Sequence, residues 1–386
     1  MNRKDLSGKK IARVATMSFV HSAHFNKQIR DIKSAGAEIT LISAVDDGME
    51  IIDSLNVDHF RINFARDISL FRDLYCLIKL YLYFKKNDFD IIHSVTPKAG
   101  LLSTIAGFLA GVPLRIHTFS GQAWANLSGF KRWICILMDR VIIFFASHVF
   151  ADGQSQIDFL LENKVLNEKQ EIRVLGHGSL AGVDLEKFEM PSALEKKKYR
   201  EQYDISKDSF VFIFLGRVNK DKGIYELIAS FNQICMEDEN SILLIVGPLD
   251  MATSEFESLI ADNDRIRYFG YTPDPEIFVA VSDILCIPSH REGFCNVILN
   301  AGAMGVASIG SDVIGVRDPI IHLETGILFK KGSITEIKNA MKLMIQNKDL
   351  RNTLSKNAMS NVNNHFSSEL ISNLWIEEYK NLTSET

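Results

Sequence analysis

The stretch REGFCNVILN, residues 291–300, sets a carboxylate, Glu292, and a glycine, Gly293, between two apolar runs. The first run, Ile284 to Ser289, predicts a buried strand; the second, Phe294 to Met304, predicts a helix. A helix start carries unpaired backbone N–H groups and a partial positive charge, which suits phosphate. Gly293 would let the backbone approach a ligand closely, and Glu292 would accept hydrogen bonds from sugar hydroxyls. Taken alone, Glu292 is equally explained as an acid that complements the helix dipole. Eight residues beyond it stands Asn300.

Three further loops follow strand-like runs. GRVNKDKG, residues 216–223, offers Gly216 for a turn and Arg217 and Lys222 as cations suited to a diphosphate. A solvated turn with two incidental cations accounts for that loop as well. IHTFSGQAW, residues 116–124, places His117 at the end of a strand, where it would donate or accept at a reacting centre, or simply be structural. GHGSLAGVD, residues 176–184, contains a G-x-G but leads into a turn, not a helix, which argues against a dinucleotide cofactor. His21 and His24 lack an evident third ligand, so no metal site is expected. Asp88 with Asp90, and Asp262 with Asp264, precede strands and read as solvated acids.

The elements that must position these loops alternate. Strands at KIARVATMS, EITLIS, DIIHSV, LRIHTF and VFADG are interleaved with helices, among them FNKQIRDIKSAG, ending at Gly36, and DISLFRDLYCLIKLYLYFKKN. The polar, Pro191-containing stretch near residues 185–205 breaks the pattern, and it then restarts from FVFIFLG to SSELISNLWIEEYKNL. This order predicts an α/β chain of two doubly wound parallel-sheet domains, 1–190 and 191–366, with a helix over 367–386. Ligands of such sheets bind beyond the carboxyl ends of the strands, which is where the four loops fall.

Bulk properties bound the partners. The 386 residues carry a net charge of -5, so nucleic acid is not an expected partner. Residues 1–190 hold 23 Lys/Arg and 21 Asp/Glu, leaving the second half acidic. Five scattered cysteines read as core thiols of a reducing compartment. The polar start lacks a signal-peptide core, and no stretch has the sustained apolar length of a membrane span. The expected location is cytoplasmic, with peripheral attachment to the cytoplasmic membrane left open. Two helices, 68–84 and 131–146, combine apolar faces with Lys85, Lys86, Lys131 and Arg132, a pattern of interfacial helices and equally of helices packed on a sheet.

As an ordered set, GRVNKDKG, SILLIVG, YFGYTPD, ILCIPSHREGFCNVILNAGAMGVASIGSD and GVRDPI resemble the retaining glycosyltransferases of family 4. HSVTPKAGLL, RIHTFSGQAW and GSLAGVDLEKF look like the first half of members that build bacterial capsule and lipopolysaccharide. The resemblance implies a GT-B fold of two facing Rossmann-like domains, with the terminal helix crossing back to the first. It implies a nucleotide-sugar donor, a UDP-sugar by analogy, bound mainly by the second domain, and an acceptor bound by the first. That acceptor would be a polyprenyl-diphosphate-linked glycan at the inner membrane surface. Arg217 and Lys222 match the family's diphosphate pair, with Gly216 at the turn. Glu292 matches the first acid of its E-x7-E motif, Gly293 and Phe294 the backbone turn against sugar and phosphate, and His117 the histidine near the reacting sugar. No metal or other cofactor is implied, and the leaving phosphate assists deprotonation of the acceptor. Asn300 departs from the family, which has a ribose-binding Glu there; Cys295 departs from the common Gly or Pro. The Asn300 departure keeps a non-catalytic glycan-assembly subunit in view as an alternative. An epimerase on the same scaffold is another, although such chemistry asks for more carboxylates and histidines than these loops show.

Overall fold

The structure is a computed structural model that describes residues 6–46, 48–64, 69–166 and 170–385. The chain divides into two compact units, residues 1–182 with 368–386, and residues 183–367.

Unit 1 runs β1 (Lys10–Met17), α1 (Ser18–His24), α2 (Asn26–Ser34), β2 (Glu38–Ala44), α3 (Met49–Ser54), β3 (Asp58–Arg61), α4 (Leu70–Asn87), β4 (Ile91–Ser94), α5 (Pro97–Ala110), β5 (Leu114–Phe119), α6 (Gly129–Phe145), β6 (His148–Ala151), α7 (Gln154–Glu162) and β7 (Ile172–Val174). Its seven strands lie in the order β3-β2-β1-β4-β5-β6-β7, and every pair is parallel. Both faces are covered, so the central strands are apolar throughout: Ile11, Val14, Ile91, Ile92 and Ile116 are all sealed. On one face α4 packs on α5 and α5 on α6; on the other, α2 packs on α15 (Ser368–Ser384). Ile371, Trp375, Tyr379 and Leu382 of α15 enter the same core as Ile29 and Ile32 of α2. Residues 67 and 68, with which the sequence begins the α4 helix, lie outside the described residues.

Unit 2 runs α8 (Ala193–Gln202), β8 (Phe210–Leu215), α9 (Ile224–Cys235), β9 (Ser241–Val246), α10 (Thr253–Ile260), β10 (Ile266–Tyr268), α11 (Pro275–Val281), β11 (Ile284–Ile287), α12 (Asn296–Ala303), β12 (Ala307–Ser311), β13 (Gly326–Phe329), α13 (Ile334–Gln346) and α14 (Lys348–His365). Six parallel strands order as β10-β9-β8-β11-β12-β13. The polar stretch taken from sequence as a boundary is α8, a helix of this unit. Ser192 and Glu195 close a capping box at its start. Arg200 anchors it, bonding the Val281 carbonyl at 3.0 Å and the Asp283 carboxylate at 2.9 Å. Buried arginine and capping chemistry hold this helix, so apolar periodicity does not reveal it.

Candidate active site

In unit 2, β8 and β11 are neighbours, and the loops after them meet at the carboxyl edge of the sheet. The loop after β8 turns through a short 3-10 segment, Lys220–Lys222, capped by the Asn219 side chain, which accepts from the Lys222 amide at 3.0 Å. Gly223 then adopts φ +71°, and a Cβ there would lie 2.1 Å from the Pro288 carbonyl oxygen. Only glycine satisfies both demands, so the two loops touch backbone to backbone. The amide of His290 donates to the Asp221 carbonyl at 2.8 Å, and its Nε2 lies 2.9 Å from Glu226 Oε1.

This seam brings Lys222 to Glu292. The Lys222 ammonium lies 2.5 Å from Oε1 and 2.6 Å from Oε2. The Ser289 hydroxyl donates to Oε1 at 2.7 Å. Lys222 and Glu292 keep only 21% and 14% of their side-chain surface in solvent, so water screens the pair weakly. The Glu292 amide donates to the Ile314 carbonyl at 3.1 Å and the Cys295 amide to the Gly315 carbonyl at 2.8 Å, which ties the loop to the segment after β12. Gly315, at φ +73°, packs on the Gly293 carbonyl, where a Cβ would approach to 2.2 Å.

The remaining sequence-nominated groups separate. Arg217 is exposed and pairs with Asp250 at 2.9 Å; Asn219 donates to the same carboxylate at 2.8 Å. The Gly216 carbonyl abuts Gly247, whose Cβ would sit 2.0 Å from it. Phe294 turns its ring into the core near Phe366, leaving only main chain to face outward. The helix read from Phe294 begins at Asn296, with Cys295 as its N-cap residue. Burial, reinforced by the Glu292 charge, pushes the Cys295 thiol up, so it is a neutral thiol at pH 7. Asn300 sits half-buried on α12 with no side-chain hydrogen bond among the described residues. Sequence reading passed over Ser289, His290 and Glu226. Their adjacency to Glu292 and Lys222 along the chain was the available signal.

His117 belongs to unit 1, in the strand β5 that the sequence predicts. It is 1% exposed. Its Nδ1 lies 2.9 Å from the Ser94 hydroxyl, its ring meets Phe119 edge-on, and it presses on Gly100. Burial lowers its pKa to about 3. It is a neutral imidazole at pH 7, able to share a hydrogen bond but not to act as a cation. His21, likewise buried, is lowered to about 3, chiefly by burial and then by Arg13. Among the described residues, no group of three His, Cys, Asp or Glu side chains could hold a metal ion.

Comparison with known proteins gives a consistent picture. The family model "Glycosyl transferases group 1" matches residues 195–361, and "Glycosyl transferase 4-like" matches residues 13–138. The capsular polysaccharide biosynthesis glycosyltransferase CapM of Staphylococcus aureus is 34% identical over 89% of this chain and 90% of its own. The UDP-Gal:alpha-D-GlcNAc-diphosphoundecaprenol alpha-1,3-galactosyltransferase of Escherichia coli is 28% identical over 78% of each chain. Among solved structures, Anabaena Alr3699/HepE in complex with UDP and glucose aligns with a TM-score of 0.80 at 18% identity, covering 97% of this chain and all of its own. That likeness gives the fold, GT-B, with a Rossmann-like sheet in each unit.

Proposed function

The chain belongs to the group 1 glycosyltransferases, and from that premise we propose a retaining transfer from a UDP-sugar to a polyprenyl-diphosphate-linked glycan in bacterial polysaccharide biosynthesis. The observation that supports this best is the Lys222–Glu292–Ser289 cluster at the carboxyl edge of the unit 2 sheet, beside the start of α12. Breaking the bond between sugar and diphosphate builds negative charge on the leaving phosphate. Lys222, Arg217 and the first-turn amides of α12 are positive groups beside the place where that charge develops, the two side chains leaving their carboxylate partners to meet it. Glu292 takes the sugar hydroxyls, and the leaving phosphate receives the acceptor's proton on the face from which it departs. His117 enters only as a neutral hydrogen-bonding group. Metal is not required for the transfer in this reading.

The choice of donor and acceptor leans on relatives. The E. coli relative is named for UDP-Gal and for a diphosphoundecaprenol acceptor, as is a Campylobacter jejuni relative for a diphospho-undecaprenol substrate. The surface of α4 favours a lipid-linked acceptor. Leu70, Phe71, Leu74, Ile78 and Leu82 are exposed, Phe71 to 89%, and Lys79, Lys85 and Lys86 lie on the same helix. Apolar side chains beside lysines suit an anionic membrane surface. No helix among the described residues is long and apolar enough to cross a membrane.

The decisive experiment is a nucleotide-sugar hydrolysis screen on the purified protein with Glu292→Ala and Lys222→Ala alongside. One donor should be hydrolysed slowly by the wild type and by neither variant; hydrolysis that persists in both variants would remove this site from the reaction. Asn300 favours a second reading, a non-catalytic subunit, because its amide lacks the charge of the family's ribose acid. Absence of activity in both the wild type and Asn300→Glu would select it. Flotation with anionic vesicles tests the acceptor side: a protein that stays in solution and accepts water-soluble glycans overturns the lipid-linked acceptor.

A further inference from the structure

Both short contacts of the Lys222 ammonium go to Glu292, so a diphosphate that takes this cation must compete with the carboxylate. A diphosphate carries more negative charge than a carboxylate and would draw the ammonium away. Glu292, 14% exposed, would then be a nearly buried carboxylate whose remaining side-chain hydrogen bond, among the described residues, comes from Ser289. A buried charge stripped of its partner is strongly disfavoured unless new donors reach it. The hydroxyls of a donor sugar are such donors. A nucleoside diphosphate lacks the hydroxyls of the transferred sugar and keeps only those of its ribose.

We propose that Lys222 is handed from Glu292 to the donor's diphosphate, and that Ser289 is the positioning residue that keeps Glu292 aimed at the sugar afterwards. This rests on the donor-site reading above. Ser289 is suited to the task. It is 1% exposed, it follows β11 directly, and its hydroxyl reaches Oε1 at 2.7 Å. While Lys222 is in place Ser289 is redundant, since the ammonium already holds both oxygens. Its contribution therefore appears only once a diphosphate has drawn Lys222 away, which separates positioning from a purely structural role. The hand-over also makes Glu292 a competitor of the diphosphate, so removing its charge should favour UDP while ruining transfer.

The test uses the full chain, with UDP titrated by calorimetry and turnover measured on the UDP-sugar that the screen selects. Glu292→Gln should bind UDP at least fivefold more tightly than the wild type, Lys222→Ala should lose UDP, and Ser289→Ala should bind it more weakly than the wild type, because UDP also draws Lys222 from Glu292. Ser289→Ala should lower kcat about tenfold, with donor KM within threefold and an unchanged melting temperature. UDP binding by Glu292→Gln equal to or weaker than wild type would overturn the hand-over. A Ser289→Ala variant with wild-type kcat, or one whose melting temperature falls before any UDP is added, would overturn the positioning role. If no form binds UDP, the donor-site reading itself falls and this inference with it. Loss of transfer in Glu292→Gln with a silent Ser289→Ala would leave the donor site standing and remove only Ser289.

Discussion

The two units share a parallel-sheet plan but keep their reactive side chains in different places. In unit 1 the polar groups of the central strands are sealed inside: Arg13 donates to Tyr379 Oη at 2.8 Å, and His93 joins the same hydroxyl at 2.5 Å and Thr118 at 2.8 Å. In unit 2 the central strands are apolar, and the charged groups stand on the loops beyond them as ion pairs, Lys222 with Glu292 and Arg217 with Asp250. Buried hydrogen-bonded polar groups fix a core; pairs of opposite charge on loops that reach solvent can be exchanged for a ligand. Unit 1 thus holds its polar groups for architecture, and unit 2 holds them for exchange.

The largest test of this contrast is the pair Glu292→Ala and Lys222→Ala. Each should lower turnover by about a thousandfold, the scale seen when a group that meets transition-state charge is removed; Lys222→Ala, which strands the Glu292 charge, should also lower the melting temperature, while Glu292→Ala, which leaves a more exposed ammonium, should lower it less. Loss of stability in Glu292→Ala without loss of turnover would make the cluster structural, like that of unit 1. Next comes Gly223→Ala, which forces a strained backbone and a collision with the Pro288 carbonyl. A cost of roughly 1–3 kcal/mol is expected, read as a lowered melting temperature together with weakened UDP binding. Asn300→Glu should tighten donor binding by about 1–2 kcal/mol, roughly tenfold, if a charged acceptor at that position still reaches the ribose; no change in donor KM would count against that contact.

Acid should act on unit 1. His117 and His21 titrate near 3 in the folded chain against 6.5 unfolded, so their stabilisation is complete above pH 6.5 and is lost as the pH falls from 6.5 towards 3. Between pH 7.5 and 5.5 each such histidine removes about 1.4 kcal/mol. All three tryptophans, Trp124, Trp133 and Trp375, lie in unit 1, so tryptophan fluorescence reports its denaturant midpoint alone. That midpoint should drop on acidification, and His117→Gln should reduce the drop. The smallest expected effect is that of EDTA, which should leave turnover unchanged; a loss reversed by added divalent cation would contradict a metal-free transfer.

Strand–helix alternation and the loops after β8 and β11 were legible because buried parallel strands write themselves as unbroken apolar runs such as FVFIFL and SILLIV. The partnership of Lys222 with Glu292 was not, since it joins residues 70 apart across neighbouring strands. Sequence likewise gave His117 a strand end but not its depth, which Gly100, Phe119 and Ser94 set from distant positions. The short elements α1, α3, β3 and β7 escaped because too few residues carry their period. Helix α8 escaped because its anchor is an arginine.

The discontinuity of unit 1 bears on how the protein comes to exist. Strand β1 emerges from the ribosome with Arg13 in its middle, but the hydroxyl that accepts from Arg13 lies 366 residues further along, in α15. All of unit 2 is synthesised before that helix appears. A nascent chain must therefore hold an incomplete unit 1, with the apolar bed for Trp375 uncovered, while unit 2 has everything needed to fold. A chain stopped short of α15 would display that bed permanently, and chaperones and proteases would have a clear mark by which to tell unfinished copies from finished ones.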